Sequence, residues 1–210
     1  TVLELVERIV PFEDEDISQA LRNELQAEGL RLVTGFSTEK VAYQNNRFII
    51  TGQTDKTLLT FSAEQLLVAT GRRPNTSGMG LEEAGVELGK RGEVIVNEKL
   101  ETSLPDVYAA GDVTGRDMFV YVAAYAGQLA VENALTDARR VYDAAYIPRV
   151  TFTDPQVASA GLTESQARDQ GYEIKVSSLP MKYVPRAQAA RDTRGLVKLV
   201  INAANDHILG

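Results

Sequence analysis

The sequence of residues 104–113 is L-P-D-V-Y-A-A-G-D-V, and it is the strongest indication of the fold. The apolar run 107–110 predicts a buried strand, which leads into Gly111 and then presents the carboxylate of Asp112. In open α/β sheets, ligands bind beyond the carboxyl ends of the strands. The pattern therefore predicts that Asp112 accepts hydrogen bonds from sugar or polyol hydroxyls. Taken alone, a Gly-Asp pair is more often a loop cap.

A helix is predicted directly after this stretch, from about residue 118 to residue 135. Its N-terminus, around residues 117–120, offers backbone N–H donors and a partial positive charge. With the carboxylate of Asp112, such a helix start could hold a ribityl chain and stabilise the electron-rich pyrimidine edge of a reduced flavin.

Composition excludes several classes of function. The 210 residues carry a net charge of −7, which disfavours binding to nucleic acid or to an anionic membrane surface. Cysteine is absent and histidine occurs once, so these residues supply no disulfide, no thiolate metal site and no thiol nucleophile. No apolar run approaches the length of a membrane span, and no signal peptide is visible, which favours a cytoplasmic protein.

Three blocks follow one another along the chain: 1–69, 70–146 and 147–210. In the first we predict strands at 1–6, 30–33 and 64–69, a helix near 13–27, and a hairpin of 47–51 with 57–61. In the second we predict strands at 94–96 and 107–112 before the long helix. In the third we predict strands at 150–152, 174–177 and 196–201 and a helix at 163–170. Strand-like runs at both ends lead us to expect an internal piece of a longer protein.

Two motifs together resemble the FAD-dependent pyridine nucleotide-disulfide oxidoreductases: A-T-G-R-R-P-N at 69–75 and P-D-V-Y-A-A-G-D at 105–112. The resemblance covers the whole chain. It implies α/β, FAD/NAD(P)-binding Rossmann-like (ββα three-layer) portions followed by the start of an α+β dimerisation domain. The first motif, with Gly71, would mark the crossover from the NAD(P)-binding domain to the FAD domain. Asp112 would bind the ribityl chain, and the helix start near Val120 would contact the flavin through its backbone.

Within this family, residues 119–127 and 184–200 are similar to the mercuric reductases, whereas residues 152–158 are shared with the dihydrolipoyl dehydrogenases. The first resemblance implies electron flow from NAD(P)H to FAD, then to a cysteine pair, and finally to Hg(II). It also implies a homodimer formed through residues 147 onward. Without cysteine, the chain holds no catalytic residue and no metal ligand, and we expect it to be inactive alone. A disulfide reductase and a non-catalytic cofactor-binding or assembly module remain the alternatives.

Glu4 lies near the end of the opening strand. In a dinucleotide-binding unit, an acid at the end of the second strand accepts hydrogen bonds from the adenosine ribose and favours NAD, whereas a nearby cation such as Arg8 accommodates the phosphate of NADP. A solvated surface position is the alternative for Glu4. Gly78 and Gly80 predict a helix start rather than a nucleotide loop, and His207 is predicted to lie in a surface turn.

Overall fold

The computed structural model describes residues 1–55 and 57–210. They form two compact units. One combines Thr1–Val68 with Pro148–Gly210, and the other is Ala69–Ile147. Both contain helices and irregular segments. All the strands found in the described residues belong to the first unit, which we call the paired unit. We call Ala69–Ile147 the central unit.

The strands, in chain order, are β1 (Val2–Leu3), β2 (Leu32–Val33), β3 (Ser37–Gln44), β4 (Arg47–Thr54), β5 (Thr57–Ala63), β6 (Arg149–Thr151), β7 (Val157–Ser159), β8 (Ile174–Pro180) and β9 (Leu196–Asn202). The α-helices are α1 (Glu15–Ala27), α2 (Leu81–Ala84), α3 (Val120–Leu135), α4 (Glu164–Asp169) and α5 (Pro185–Ala190). Gly111–Thr114 and Met181–Tyr183 form short 3-10 helices.

The N-terminal half of the paired unit contains a parallel pair, β1 with β2, and an antiparallel meander, β3-β4-β5. The predicted hairpin is confirmed as β4 and β5. Strand β3 was not predicted, because its residues are almost all exposed and the sequence shows no apolar alternation there. Helix α1 buries Leu21 against Ile9 and Leu32, and the buried Ser18 Oγ donates to the Ile9 carbonyl oxygen at 2.7 Å.

Four strand predictions are wrong or too long. Residues 65–70 have no regular structure, and Leu67 is 88% exposed. An apolar run becomes a strand only when another strand satisfies its backbone groups, and none of the described residues pairs with this one. The predicted strands at 94–96 and 107–112 are reduced to single bridges, Leu88 with Val94 and Glu101 with Tyr108. The opening strand is limited to β1.

The C-terminal half of the paired unit consists of two hairpins, β6-β7 and β8-β9, with α4 between them. A capping box begins α4, in which the side chains of Thr163 and Gln166 each accept from the other residue's backbone N–H. Residues 184–195 include the short helix α5. Pro185 at the first position suits a helix start, and alanines follow it.

Lys198 of β9 joins the two halves of the paired unit. Its side chain is 7% exposed, and Nζ lies 3.1 Å from Asp14 Oδ2, 2.8 Å from Asp16 Oδ1 and 2.5 Å from Glu164 Oε1. The carboxylate of Asp14 also accepts the backbone N–H of Glu164 at 3.1 Å. We call Lys198 and these three acids the lysine cluster. It connects the start of α1 to the start of α4 through one buried cation.

Charge pairing changes two pKa values in this cluster. The hydrogen bond from Lys198 holds the pKa of Glu164 below its ordinary 4.5, against the opposing effect of burial. Burial acts to lower the pKa of Lys198, but hydrogen bonds to the three acids outweigh it and raise that pKa above 10.5. The stabilisation linked to Glu164 is therefore present above about pH 4.5 and is lost as the pH falls through its lowered pKa. The stabilisation linked to Lys198 is present below about pH 10.5 and is lost as the pH rises through its raised pKa.

Replacing Lys198 by methionine should lower the free energy of unfolding by about 2–3 kcal/mol at pH 7, because three clustered carboxylates lose their buried counter-charge. The acid-side loss of stability linked to Glu164 should also become smaller. Urea titrations between pH 3 and pH 8 measure both effects.

Lys175→Met is the matched control, since Lys175 lies on the neighbouring strand and its ion pair with Asp206 is exposed on both sides. This change should cost at most about 0.5 kcal/mol. Equal effects of the two substitutions would contradict a structural role for the lysine cluster.

Candidate cofactor-binding site

The central unit is organised around a small core on one side of α3. Its buried members are Val86, Val94, Val96, Leu100, Ala126, Leu129 and Ala130. Helix α3 confirms the predicted long helix, and its first turn lies beside the segment that carries Asp112. The segment that carries Asp112 and the first turn of α3 are thus fixed to the same core.

Asp112 lies in the 3-10 turn Gly111–Thr114, which follows the extended residue Ala110. The buried Thr114 hydroxyl donates to the Gly111 carbonyl oxygen at 2.9 Å and holds the turn closed. The carbonyl oxygen of Asp112 accepts the N–H of Gly115 at 3.0 Å. The backbone of Asp112 is therefore fixed, while its side chain is 47% exposed and directed to the surface.

Gly111 allows this turn to approach α3. Its φ is +79°, and a Cβ placed on it would lie 3.0 Å from the Cβ of Ala123. A side chain at this position would both strain the backbone and crowd the first turn of the helix. Gly111 therefore sets the separation between Asp112 and the start of α3.

Val120 is the first residue of α3 and is 87% exposed. The N–H groups in a helix's first turn have no acceptor within the helix, and the preceding Phe119 provides no side-chain cap. Since α3 has 16 residues, its dipole adds a partial positive charge at this end. The start of α3 can therefore receive a polar, electron-rich group.

The residues before α3 are held by two polar contacts. Arg116 donates to the Val96 carbonyl oxygen at 2.7 Å, and the Tyr142 hydroxyl donates to Asp117 Oδ2 at 3.3 Å. Burial, followed by the negative charge of Asp117, raises the pKa of Tyr142 to about 12. Tyr142 therefore stays protonated at physiological pH and remains a donor. These contacts were not predicted, because the residues are far apart in sequence.

The motif loop at 69–75 lies against Asp112. Arg72 Nη1 is 3.2 Å from Asp112 Oδ2, and both side chains are substantially exposed. Gly71 adopts φ +97°, and no heavy atom lies within 4 Å of where its Cβ would be. The structure thus brings Arg72, the residue after Gly71, to Asp112, which lies beside the first turn of α3. The contact between Arg72 and Asp112 was not predicted.

Glu4 belongs to the other compact unit. It directly follows β1, and its Oε1 accepts the N–H of Val6 at 3.1 Å. Arg8 donates to the carbonyl oxygens of Pro11 and Glu13 at 3.0 and 3.1 Å, so its guanidinium is already engaged. Within residues 1–55 and 57–210, the second carboxylate oxygen of Glu4 accepts no hydrogen bond.

His207 and Gly80 agree with their local predictions. His207 is exposed, and its N–H donates to Asn205 Oδ1 at 3.1 Å within a turn. Gly80 adopts φ +70° and precedes α2. Among residues 1–55 and 57–210, no three His, Asp or Glu side chains are grouped to hold a metal ion, and no helix is long and apolar enough to cross a membrane.

A polyol-bearing cofactor fits the surface around Asp112 better than the space beneath it. The cavity enclosed between Gly111, Thr114, Arg116 and α3 has a volume of only about 10 Å³, which holds one water molecule at most. The solvent-facing surface presents the half-exposed carboxylate of Asp112, the turn at Gly111 and the N-terminus of α3. A carboxylate accepts hydroxyl donors, and a helix start favours negative charge.

Comparison with known proteins places these motifs in a family. Residues 1–127 match the model "Pyridine nucleotide-disulphide oxidoreductase", and residues 147–210 match the model of its dimerisation domain. A mercuric reductase of Staphylococcus aureus is 45% identical over 210 residues, which are all of this chain and 38% of that protein. A dihydrolipoyl dehydrogenase of Thermus scotoductus is 36% identical over 214 residues, all of this chain and 46% of that protein.

Among solved structures, the HOCl-induced flavoprotein disulfide reductase RclA from Escherichia coli superposes with a TM-score of 0.85 at 29% identity. The superposition covers 99% of this chain and 47% of that one. The chain therefore spans less than half the length of each of these relatives.

Substituting Gly111 tests the close approach to α3. Gly111→Ala should destabilise the central unit by about 1–3 kcal/mol, since the alanine is strained at positive φ and meets Ala123. Gly127→Ala is the control: Gly127 lies inside α3 with nothing within 4 Å of its Cβ position. That change should stabilise by about 0.5–1 kcal/mol. Thermal unfolding of both variants measures the difference, and effects of the same sign would contradict the geometry described for Gly111.

Proposed function

Since the chain belongs to the pyridine nucleotide-disulphide oxidoreductase family, we propose that it contributes cofactor-binding and dimerisation segments to an NAD(P)H-dependent flavoprotein that reduces Hg(II) to Hg(0). The similarity to mercuric reductases along the entire chain, at 45% identity in one case, carries this proposal. The chain has no cysteine, so the thiol pair that receives the electrons belongs to residues outside it.

Asp112 and the start of α3 would hold the flavin. The carboxylate of Asp112 would accept hydrogen bonds from the ribityl hydroxyls, and backbone N–H groups near Val120 would donate to the pyrimidine edge. The dipole of α3 would favour the negative charge that builds up there on reduction. Gly71, with an open left-handed backbone, would let the motif loop approach the same cofactor. When bound, a flavin supplies two-electron transfer between a reduced nicotinamide and a thiol pair.

The domain assignment accompanies this proposal. Residues 1–69 would complete the NAD(P)-binding domain, residues 70–146 the FAD-binding domain, and residues 147–210 would begin the interface domain of a homodimer. Glu4 would accept hydrogen bonds from the adenosine ribose of the nicotinamide cofactor. A cytoplasmic location remains a prediction from the sequence.

A disulfide reductase of the dihydrolipoyl dehydrogenase type is the second candidate. The 36% identity to the Thermus scotoductus enzyme over the whole chain favours it. Both candidates use the same flavin and nicotinamide contacts in this chain, so the distinction depends on the electron acceptor. A non-catalytic cofactor-binding module is the third possibility, and it predicts no turnover with any acceptor.

Removing the charge of Asp112 should weaken flavin binding. In the protein encoded by the whole reading frame that contains these residues, Asp112→Asn should raise the dissociation constant for FAD about tenfold, since a hydrogen bond to a charged acceptor contributes roughly 1.5–3 kcal/mol. Quenching of flavin fluorescence measures this. Asp106→Asn is the control: Asp106 lies in the same motif, and asparagine tolerates its positive φ. Equal affinities of the Asp112 variant and the unchanged protein would contradict the assignment.

Turnover of the same protein decides between the candidate functions. We expect Hg(II)-dependent oxidation of NAD(P)H with release of volatile Hg(0), and little reduction of lipoamide. Preference for lipoamide would instead support the second candidate, and no turnover with either acceptor would support the third.

Measuring kcat/KM with NADH and NADPH for Glu4→Gln tests the ribose contact, because loss of the acid should lower kcat/KM for NADH more than for NADPH.

A further inference from the structure

One contact in the central unit links the two sequence motifs directly. Arg72, in the loop at 69–75, and Asp112 are 40 positions apart, yet Nη1 of the arginine lies 3.2 Å from Oδ2 of the aspartate. Among the described residues, this is the one hydrogen bond that the Arg72 guanidinium donates. In the part of the chain that the structure describes, Oδ1 of Asp112 forms no hydrogen bond. One half of the carboxylate is therefore held, and the other half is left to accept a hydroxyl.

The chemistry of arginine makes this contact suitable for orientation. A guanidinium remains charged at every physiological pH and offers several N–H donors in a fixed plane. Both Arg72 and Asp112 are exposed, so the pair contributes little to the stability of the fold. Covering the pair with a ligand would lower the local dielectric constant and strengthen it. Its effect should therefore appear on ligand binding rather than on unfolding.

The loop that carries Arg72 is fixed close to this point. The Thr76 side chain is mostly buried, and its hydroxyl donates to the Gly92 carbonyl oxygen at 2.6 Å. The loop therefore presents Arg72 from an anchored segment. Arg73 is exposed, and no ion pair of Arg73 occurs among the described residues, so the two neighbouring arginines differ in this contact.

We propose that Arg72 is a positioning residue that holds the carboxylate of Asp112 by one oxygen and presents the other to the ribityl chain of FAD. This inference rests on the proposed function of Asp112. Arg72 acts through Asp112 rather than on the reacting atoms. Its removal should let the carboxylate rotate away from the orientation that the hydroxyls require, and the affinity for FAD should fall.

A double-mutant cycle tests this in the protein encoded by the whole reading frame. Arg72→Met should weaken FAD binding about three- to tenfold when Asp112 is intact, and should have almost no effect in the Asp112→Asn background. Arg72→Lys should restore part of the affinity, because it returns the charge without the planar fork. Arg73→Met is the matched control and should leave the affinity within twofold. Near-UV circular dichroism verifies that each variant is folded.

Each outcome decides the matter. An unchanged affinity in Arg72→Met, or an equal loss in both Asp112 backgrounds, would overturn the positioning role while leaving the flavin assignment intact. If the unchanged protein binds no FAD, the proposed function itself fails and this inference fails with it. A loss confined to the background with Asp112 intact, with partial rescue by lysine, supports the proposal.

Discussion

The close approach of Gly111 to the first turn of α3 is the constraint on which the candidate site depends. Gly111 has no side chain, so the chain can turn there at positive φ and pass close to the helix. A Cβ on Gly111 would lie 3.0 Å from the Cβ of Ala123. This turn ends the extended segment and directs the carboxylate of Asp112 to the surface beside the helix start. A wider turn would separate the acceptor from the N–H donors, and one cofactor could not reach both.

The paired unit depends on a different kind of interaction. Its two halves are separated by 79 residues of the central unit, and the lysine cluster joins them through a nearly buried ammonium group. Arg194 adds exposed ion pairs to Glu28 and Asp154, also across large sequence separations. Since an unpaired buried charge is strongly unfavourable, the cluster favours one arrangement of α1 against α4. The lysine cluster acts beside an apolar contact between the halves, in which Val157 packs against the core of Ile9, Leu21 and Leu32.

Local periodicity made much of the fold predictable, including α1, α3, the β4-β5 hairpin and the separate strands β8 and β9. It failed where a partner strand decides the outcome. Residues 66–69 are apolar but pair with no strand among the described residues, whereas β3 pairs although its sequence is mostly polar. The candidate site shows the same division. The motif containing Asp112 can be recognised in the sequence. The contact of Asp112 with Arg72 and the contact of Tyr142 with Asp117 depend on the folded chain.

A crystal structure of the protein from the whole reading frame, grown with FAD, tests the central claim most directly. We expect a ribityl hydroxyl about 2.5–3.0 Å from a carboxylate oxygen of Asp112, with the pyrimidine edge facing the N–H groups at the start of α3. A flavin bound elsewhere, or one whose ribityl chain does not contact Asp112, would contradict the account.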